Sequence, residues 1–324
     1  MRVAVVDLGT NTCRLLLAEV TAGALVHTQA RLTAVVRLGE GVDRTGRLNG
    51  AAVKRTRTRL SDYATLIDRF GPERRLLVAT SALRDAADGP PFLAAVERDF
   101  HVPWRVIDGR EEAALVFRGA LSAAPRLHGR LLVLDIGGGS TELAIVQASR
   151  GAVPRPDLVH SLNVGAVRLT ERFFTADPPT AGQWQAAVTF TRRLLAAEVP
   201  PEARRVDSGI GVAGTITTLV AHELGLREYR PELVHGRRLT LDSVQTAIRS
   251  FRARTSAQRG LLAGIQPGRE DVILAGALIA REVCLLFGLT GLRCSEADIM
   301  EGAALALADE PSCEPPPSNP GAAH

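Results

Sequence analysis

Short apolar runs alternate with longer stretches of helical periodicity along this chain of 324 residues. The runs Val3–Val6, Leu76–Ala79 and Leu131–Leu134 contain no polar residue, which is typical of strands buried on both faces of a sheet. Residues 51–70 instead repeat apolar side chains along one helical face and carry arginines on the other. The pattern is that of an α/β protein, in which ligand groups gather at the carboxyl ends of the strands.

The same criteria place the remaining elements and divide the chain. Further strands are predicted at 25–28, 34–38, 104–107 and 158–162, and helices at 90–98, 110–121, 180–198, 242–252, 256–262, 272–287 and 297–307. Ala123-Ala124-Pro125 is a candidate hinge, so we expect one domain over 1–122 and a second over 123–296, with the last helix, about 297–308, packing back on the first. The Pro-rich residues 309–324 are expected to be disordered.

One turn concentrates the polar residues that interrupt this pattern. After the run Leu131–Leu134 come Asp135, the glycines Gly137, Gly138 and Gly139, the hydroxyl residues Ser140 and Thr141, and then Glu142. Glycine lets backbone N–H groups approach an anion with no Cβ in the way, and carboxylates suit a divalent metal. A plain hairpin needs neither three glycines nor two flanking acids, so we interpret this turn as a phosphate and metal site.

A related turn lies at the N-terminus. Asp7 closes the first apolar run, Gly9, Thr10, Asn11 and Thr12 follow, and Arg14 precedes the next apolar run. Two copies of one phosphate-gripping unit that face each other would hold a phosphate chain and its metal between them. Arg14 is either a phosphate ligand or an ordinary surface arginine.

A third glycine turn extends from Gly209 to Thr218, again between a predicted strand and a helix start, where backbone N–H groups favour anions. The sequence Gly-x-x-Gly-Thr is common by itself. Gly214 and Thr215 therefore become candidate phosphate ligands only in combination with the other two turns.

Two arginines are further candidates for phosphate binding. Arg84 follows Thr80 and Ser81 at the end of a predicted strand and the start of a helix, so we predict that it is a phosphate ligand. Arg269 lies just before an apolar helix and either meets a distal phosphate or pairs with its neighbours Glu270 and Asp271.

The acids Glu111 and Glu112 follow Asp108, a good helix cap, in the first turn of a predicted helix. They either favour the helix dipole only or differ in direction, because adjacent helical positions point about 100° apart. In the second case one faces solvent and the other faces the cleft. A carboxylate opposite Asp135 and Glu142 would orient and deprotonate an attacking water.

Composition narrows the class of ligand. Hydrophobic residues make up 46% of the chain and charged residues 23%, as in a globular protein, while the 4% of aromatic residues argues against a surface that stacks nucleic-acid bases. The net charge is +4, and of 39 basic residues only Lys54 is a lysine. Arginine forks suit phosphate oxygens, although a GC-rich genome produces the same skew. The basic balance permits a polyanionic ligand without proving one, and we expect no nucleic-acid partner.

The cysteines and the apolar stretches bear on the cellular compartment of the protein. The four cysteines, Cys13, Cys284, Cys294 and Cys313, have no metal-ligand spacing and form no disulfide framework, so we expect reduced thiols. Asp7 interrupts any signal-peptide core, and no apolar stretch reaches membrane-spanning length. A cytoplasmic protein without membrane association is the expectation.

Five motifs in order closely resemble those of the Ppx/GppA phosphatase family, which comprises exopolyphosphatases and guanosine pentaphosphate phosphohydrolases of the actin-like ATPase and sugar-kinase (ASKHA) superfamily. They are D-L-G-T-N-T-C-R-L-L at 7–16, A-T-S-A-L-R-D-A at 79–86, G-R-E-E-A at 109–113, D-I-G-G-G-S-T-E at 135–142 and G-V-A-G-T-I-T-T-L at 211–219. The resemblance runs from about residue 3 to 307. It is to the short form of the family, without the C-terminal part related to HD hydrolases that long members carry.

The resemblance implies an α/β fold of two actin-like (ribonuclease H-like) domains with the active site in the cleft between them. It implies that Glu112 is the general base and that Asp135 and Glu142, helped by Asp7, hold the metal and the water. Thr10, Asn11, Arg84 and residues 137–141 would grip the terminal phosphates. The family also implies a homodimer.

We therefore expect an exopolyphosphatase that uses Mg²⁺ or Mn²⁺ to hydrolyse the terminal phosphoanhydride of inorganic polyphosphate and that favours short chains. The second candidate is a pppGpp 5′-phosphohydrolase with the same chemistry. A sugar or acetate kinase is disfavoured because Glu112 suits water activation. A non-catalytic sensor of polyphosphate or of the alarmones pppGpp and ppGpp is disfavoured by the intact acids at 7, 112, 135 and 142.

Overall fold

Two mixed sheets organise the chain, which a computed structural model describes over residues 1–21, 24–123, 128–148 and 156–310. Their strands are β1 (Arg2–Leu8), β2 (Thr12–Thr21), β3 (Ala24–Val35), β4 (Arg74–Ala79), β5 (Trp104–Val106), β6 (Gly129–Ile136), β7 (Thr141–Ala148), β8 (Leu158–Leu162), β9 (Ser208–Val212), β10 (Arg238–Thr240) and β11 (Gly291–Cys294). The first sheet has the order β3-β2-β1-β4-β5, and the second has the order β10-β11-β9-β6-β7-β8.

The two sheets repeat one topology. In the first, β1, β2 and β3 form an antiparallel meander, and β4 and β5 run parallel to β1. In the second, β6, β7 and β8 form the meander, and β9 and β11 run parallel to β6. Asp7 and Asp135 are each the penultimate residue of the central strand, β1 or β6. This repeat confirms the predicted ribonuclease H-like α/β halves.

The helices whose bounds the sequence predicted agree with the structure to within two residues. The helices of the structure are α1 (Val42–Thr45), α2 (Gly50–Phe70), α3 (Ser81–Asp85), α4 (Gly89–Phe100), α5 (Gly109–Ser122), α6 (Ala166–Phe173), α7 (Ala181–Glu198), α8 (Ala213–Glu223), α9 (Pro231–Val234), α10 (Leu241–Arg252), α11 (Ser256–Gly260), α12 (Ile273–Leu286) and α13 (Ile299–Asp309), with a 3₁₀ turn at Pro201–Arg204. The short α1 and α9 were not predicted. Local signals explain the agreement. The Asn49 side chain accepts from the N–H groups of Ala51 and Ala52 at the start of α2, and Gly71 ends that helix in a left-handed conformation.

Two strand predictions were wrong. The segments 25–28 and 34–38 are not two strands: one bulged strand, β3, pairs with β2 along its whole length and ends at Val35. The pairing partner, which no local pattern shows, holds the intervening polar residues in the strand. The short strand β10 at the edge of the second sheet and its neighbour β11 were not predicted, because three or four residues carry too little periodicity. The candidate hinge at 124–125 and residues 311–324 of the tail lie outside the described residues.

Three apolar clusters form the core, and the central one joins the two sheets. It contains Val5 from β1 and Val133 from β6, together with Phe117 of α5 and Met300 of α13. A second cluster lies between the first sheet and helices α2 and α4, and a third between the second sheet and helices that include α8 and α12. Helices α5 and α13 are therefore packed in the layer that both sheets share.

The crossing of α5 and α13 is unusually close and depends on two glycines. A Cβ on Gly119 would lie 1.8 Å from the carbonyl oxygen of Asp298, and a Cβ on Gly302 would lie 1.9 Å from the carbonyl oxygen of Leu115. Neither contact leaves room for a methyl group. Because α5 carries Glu112 and Asp298 caps α13, the crossing also sets the relative positions of these two acids.

The expectations about membrane spans and cysteines can be compared with the structure only over the described ranges. Within them, no helix combines the length and the apolar character needed to cross a lipid bilayer. Cys13, Cys284 and Cys294 are buried and free, and burial raises the pKa of each thiol. Cys313 lies outside the described residues.

We predict that Gly302→Ala lowers the free energy of unfolding by about 1–3 kcal/mol, because overpacking outweighs the better helix propensity of alanine. Urea denaturation measures this change. The matched control is Gly50→Ala at the exposed start of α2, where a Cβ would meet nothing within 4 Å. Equal stability of the two variants would contradict the proposed contact.

Candidate active site

A cavity of about 80 Å³ lies between the two sheets, at the carboxyl ends of the central strands. Its wall contains the predicted residues Asp7, Thr10, Asn11, Arg14, Glu112, Asp135, Gly137, Gly138, Ser140, Gly214, Thr215 and Arg269. The predicted residues Arg84, Gly139, Thr141 and Glu142 are not part of this wall. The three glycine turns, which are far apart in sequence, thus meet in one place.

The first two turns have the same backbone design. The Gly9 N–H donates to the Thr12 carbonyl at 2.9 Å, and the Gly137 N–H donates to the Ser140 carbonyl at 3.0 Å. Carbonyls within both turns accept from other segments of the chain. Within the described ranges, the N–H groups of Thr10, Asn11, Gly138 and Gly139 donate to no protein group. These N–H groups are available to an anion.

The two turns face each other, as the sequence predicts. The hydroxyls of Thr10 and Ser81 are 2.9 Å apart. A Cβ on Gly138 would lie 2.9 Å from the Thr10 Cβ, and one on Gly139 would lie 2.5 Å from the Ser81 hydroxyl oxygen. Glycine is required here by the approach of the opposite turn.

Glu112, rather than Glu111, faces the cavity. The Asp108 carboxylate caps α5 by accepting from the N–H groups of Arg110 and Glu111, both at 2.8 Å. This fixes the first turn so that Glu112 is only 8% exposed, while the Glu111 carboxylate lies outside and pairs with Arg105 at 3.0 Å. One acid of the pair is therefore placed for chemistry in the cleft.

Three carboxyl groups are buried close together. Asp135 and Glu142 are directly opposite each other in the pairing of β6 with β7. Burial raises the pKa of Glu112, and the negative charge of Glu142 raises it further. Burial also raises the pKa of Asp135 and brings that of Glu142 to about 7. The site therefore takes up protons in the range where ordinary carboxyl groups are ionised.

Arg84 supports Glu112 instead of lining the cavity. Its Nη1 donates to the Ile107 carbonyl at 2.9 Å and lies 3.4 Å from Glu112 Oε2. The guanidinium charge opposes the rise in the pKa of Glu112. In this conformation Arg84 orients the carboxylate, whereas the sequence predicts a direct phosphate ligand.

Arg14 lies on the cavity wall between two carboxylates. Its Nε donates to Asp7 at 2.7 Å, and its Nη1 pairs with Asp298, which also pairs with Arg31 at 3.2 Å. Burial acts to raise the pKa of Asp298, but Arg14 and Arg31 hold it below its usual value. Arg14 is thus not an ordinary surface arginine, and it neutralises Asp7.

Arg269 is the arginine of the cavity wall that pairs with no acid within the described ranges. Its Nε donates to Gln266 at 3.1 Å, and within the described residues no carboxylate pairs with it. The predicted pairing with Glu270 or Asp271 is wrong: the Glu270 carboxylate accepts from the Gly268 N–H at 2.6 Å, and Asp271 pairs with Arg37 at 2.8 Å. Burial lowers the pKa of Arg269 to about 10.

The third turn presents the start of α8 to this guanidinium. No side chain caps α8, and its first residue, Ala213, has a φ of 61°, a conformation that alanine rarely adopts. A Cβ on Gly214 would lie 1.9 Å from Arg269 Nη1. The start of this helix and the Arg269 guanidinium thus offer N–H donors and positive charge at the same point of the cavity wall, which suits an anion.

Thr141 and Glu142 lie behind the second turn. The Thr141 hydroxyl donates to the Val164 carbonyl at 2.6 Å, and Glu142 accepts from the Ser161 hydroxyl at 2.8 Å. Gly109 touches the same Ser161, where a Cβ would be 2.5 Å from the hydroxyl oxygen. These contacts place the start of α5, and so Glu112, next to Glu142.

The predicted metal ligands are suited to a cation but do not form a closed cage. Among the described residues, no group of three or more His, Cys, Asp or Glu side chains is arranged to hold a metal ion. Asp135 Oδ1, however, is buried and has no hydrogen-bond partner. Mg²⁺ is commonly held by one or two carboxylates together with waters and substrate phosphates. The orphaned oxygen fits this mode, while one oxygen of Asp7 is already taken by Arg14.

Several residues of the site were not among the predicted ligands. Thr80 and Ser81 line the cavity, and Asp298 anchors Arg14. Asp298 precedes Glu301 by three residues before an apolar run, which is the signature of the capping box that the structure contains at α13. This signal was available. The contact between Asp298 and Arg14 could not be predicted from the sequence, because the two residues are 284 positions apart.

Comparisons with known proteins find similar sequences and similar structures. A model of the Ppx/GppA phosphatase family matches residues 16–310. Exopolyphosphatase 2 of Mycobacterium tuberculosis is 39% identical, over 95% of this chain and 98% of the relative. The crystal structure of an exopolyphosphatase-like protein has a TM-score of 0.89 at 34% identity and covers 95% of this chain and 99% of that one. The PPX-GPPA enzyme of Aquifex aeolicus has a TM-score of 0.78 at 32% identity, covering 94% and 99%.

We predict that Gly214→Ala weakens the binding of inorganic triphosphate by about tenfold or more, because the new methyl group displaces the Arg269 guanidinium. Isothermal titration calorimetry measures the affinity. Gly182→Ala, on the exposed side of α7 with no atom closer than 4.0 Å to the new Cβ, is the control. An unchanged affinity in Gly214→Ala would exclude this point as an anion site.

Proposed function

The chain belongs to the Ppx/GppA phosphatase family, and on that premise we propose that it is an exopolyphosphatase that removes terminal orthophosphate from inorganic polyphosphate by hydrolysis. The observation that carries the proposal is the position of Glu112. A buried carboxyl group with a raised pKa lies on the wall of a cavity whose other sides offer unpaired N–H groups and an unpaired arginine.

Glu112 is the proposed general base. A base works best when its pKa lies near the working pH, and burial raises the pKa of Glu112 in that direction. Arg84 holds the carboxylate and limits the rise in its pKa. Glu112 would accept a proton from a water molecule as that water attacks the terminal phosphorus in line with the bridging oxygen that leaves.

The turns supply the binding and the positioning. The N–H groups of Thr10, Asn11 and Gly138, the start of α8 and the Arg269 guanidinium surround the cavity. Preorganised donors of this kind stabilise the charge on phosphoryl oxygens without reorganisation during the reaction. Arg269 is the strongest of these donors, since it carries a full charge and has no acid to neutralise it within the described part of the chain.

A divalent cation completes the proposal. Asp135, through its unpartnered Oδ1, and Glu142 beside it would hold Mg²⁺ or Mn²⁺. The bound ion would neutralise the phosphoryl oxygens and the crowded carboxylates. Asp7, already paired with Arg14, would contribute less than the sequence suggests.

Hydrolysis of pppGpp is the second candidate, because a neighbouring cavity leaves room for its nucleoside. This cavity, of about 490 Å³, continues past Arg269 and shares Arg14, Ala213 and Gly214 with the first. Tyr229, Gln266 and Glu296 also line it. The space is suited either to the next units of a short polyphosphate or to the nucleoside of pppGpp, whose triphosphate end presents the same phosphoanhydride. Assays of both substrates at equal concentration rank the two candidates.

We predict that Glu112→Gln lowers kcat for phosphate release from polyphosphate by about 10²–10⁴-fold, because glutamine keeps the shape but accepts no proton. Steady-state phosphate release measures it. Glu111→Gln is the matched control, one position away on α5 and outside the cavity.

Three outcomes bear on the proposal. Loss of activity in Glu112→Gln but not in Glu111→Gln supports Glu112 as the base. Full activity of Glu112→Gln would remove it from that role. Binding of polyphosphate without hydrolysis by the unmodified protein would instead favour a sensor.

We predict that Mg²⁺ raises the unfolding temperature more at about pH 8.5 than at about pH 5.5. The pKa of Glu142 is about 7 in the folded protein against an ordinary 4.5, so the folded state holds a proton that the unfolded state has lost. The contribution of protonated Glu142 to the free energy of unfolding is present at low pH and disappears as the pH rises through about 7. A cation among the ionised carboxylates should restore it.

Thermal unfolding with and without Mg²⁺ tests this, with Asp135→Asn as the variant that should lose most of the Mg²⁺ effect. The control is Asp62→Asn, an acid of α2 whose side chain is 54% exposed. A Mg²⁺ effect that is the same at both pH values, or that survives in Asp135→Asn, would contradict the proposed cation site.

A further inference from the structure

Arg168, on α6, makes an unusual set of contacts behind the second glycine turn. Its side chain is only 13% exposed. The Nε donates to the carbonyl of Gly139 at 2.9 Å, Nη1 pairs with Asp43, and Nη2 pairs with Asp85. One guanidinium therefore joins the glycine turn to two segments of the first half of the chain.

The beginning of α6 holds the carbonyl side of the turn. The Ala166 N–H donates to the Gly137 carbonyl at 2.9 Å, and the Val167 N–H donates to the Gly138 carbonyl at 2.8 Å. The Gly139 carbonyl is taken by the Arg168 side chain. With all three carbonyls bound on this side, the peptide planes that carry the N–H groups of Gly138, Gly139 and Ser140 are fixed, and the N–H of Gly138 on the cavity wall remains available to substrate.

Asp85 connects the same guanidinium to the general base. It is the last residue of α3, a helix of five residues that also carries Ser81 and Arg84. Ser81 bonds to Thr10 of the first turn, and Arg84 contacts the Glu112 carboxylate. A shift of α3 relative to the second turn would therefore move Glu112 and the first turn relative to the bound phosphate.

We propose that Arg168 is a positioning residue for the hydrolysis: it sets the second glycine turn at a fixed distance from α3, and through Arg84 from Glu112. The inference rests on the proposed function, and it adds a residue that lies outside the wall of the candidate cavity. Misplacement of reacting groups by about 1 Å reduces rates by about 10²-fold. The expected effect is therefore on kcat as well as on binding.

The three acceptors explain why this position needs arginine. A guanidinium presents five N–H donors in a rigid plane, so it can bind a carbonyl and two carboxylates that lie in different directions. A lysine offers one compact ammonium group and reaches fewer of them. The alternative is that Arg168 merely stabilises the contact between the two halves, in which case stability would change without a change in the turnover of the folded protein.

The main test compares Arg168→Gln with Arg172→Gln. Arg172 lies one turn later on α6, is 45% exposed and is 3.9 Å from the same Asp43, so it is a matched loss of charge. We expect Arg168→Gln to lower kcat for tripolyphosphate by about 10²-fold and to weaken triphosphate binding, with Arg172→Gln near the unmodified protein. Arg168→Lys should recover part of the loss.

A second variant covers the case in which Arg168→Gln does not fold. Asp85→Asn retains the Arg168 bond to Gly139 and removes only the charged link to α3. It should lower kcat more than it raises KM. In a double-mutant cycle, Arg168→Gln and Asp85→Asn should be strongly non-additive in kcat, since both break one connection.

Thermal unfolding separates the two interpretations. A lower unfolding temperature with unchanged kcat and KM of the folded protein would overturn the proposal, as would equal losses in Arg172→Gln. If the unmodified protein hydrolyses no polyphosphate, the proposed function fails, and calorimetry with inorganic triphosphate still decides the positioning role. Weaker binding in Arg168→Gln than in Arg172→Gln would support it, and equal binding would refute it.

Discussion

Three carboxyl groups buried in one cleft are the constraint on which the site depends. Glu112, Asp135 and Glu142 repel one another when ionised, and burial penalises each charge separately. Arg84 reaches only Glu112, and Asp135 Oδ1 has no partner. The protein therefore holds its acids in a state of mutual repulsion that a bound cation would relieve. A structure optimised only for stability would not retain this arrangement.

The repeated fold shows how this acidity is confined to one side. In both central strands the penultimate residue is an aspartate that lies opposite a charged residue of the neighbouring strand. In the first sheet that residue is Arg14, so Asp7 is neutralised and its hairpin becomes a rigid support tied to Asp298. In the second sheet it is Glu142, so negative charge accumulates around Asp135. One scaffold thus provides a neutral wall and an acidic wall with the same N–H-presenting turns.

Local sequence signals predicted most of the elements and most of the residues that meet in the cleft. Asp108, as a helix cap, predicts the start of α5 and therefore the position of Glu112 in its first turn. The apolar runs followed by glycine turns mark the strand ends. The partners of the arginines were not predictable in this way. Arg14 contacts Asp298 from across the chain, and Arg84 turns to Glu112 instead of the cavity. Such contacts depend on how the two sheets and the α5–α13 crossing are assembled. No local periodicity in the sequence determines which side chains this assembly brings together.

The arginines of the site divide by the number of acids that they meet. Arg14 and Arg168 each bind two carboxylates from different elements. Their charges are therefore neutralised within the protein, where they hold parts of the cleft together. Arg269 meets no carboxylate in the described part of the chain and lies against Gly214 at the open start of α8. A substrate phosphate gains the full charge only of an arginine that no protein acid has neutralised. The abundance of arginine along the chain therefore says little about binding. That Arg269 has no acidic partner within the described ranges says much more.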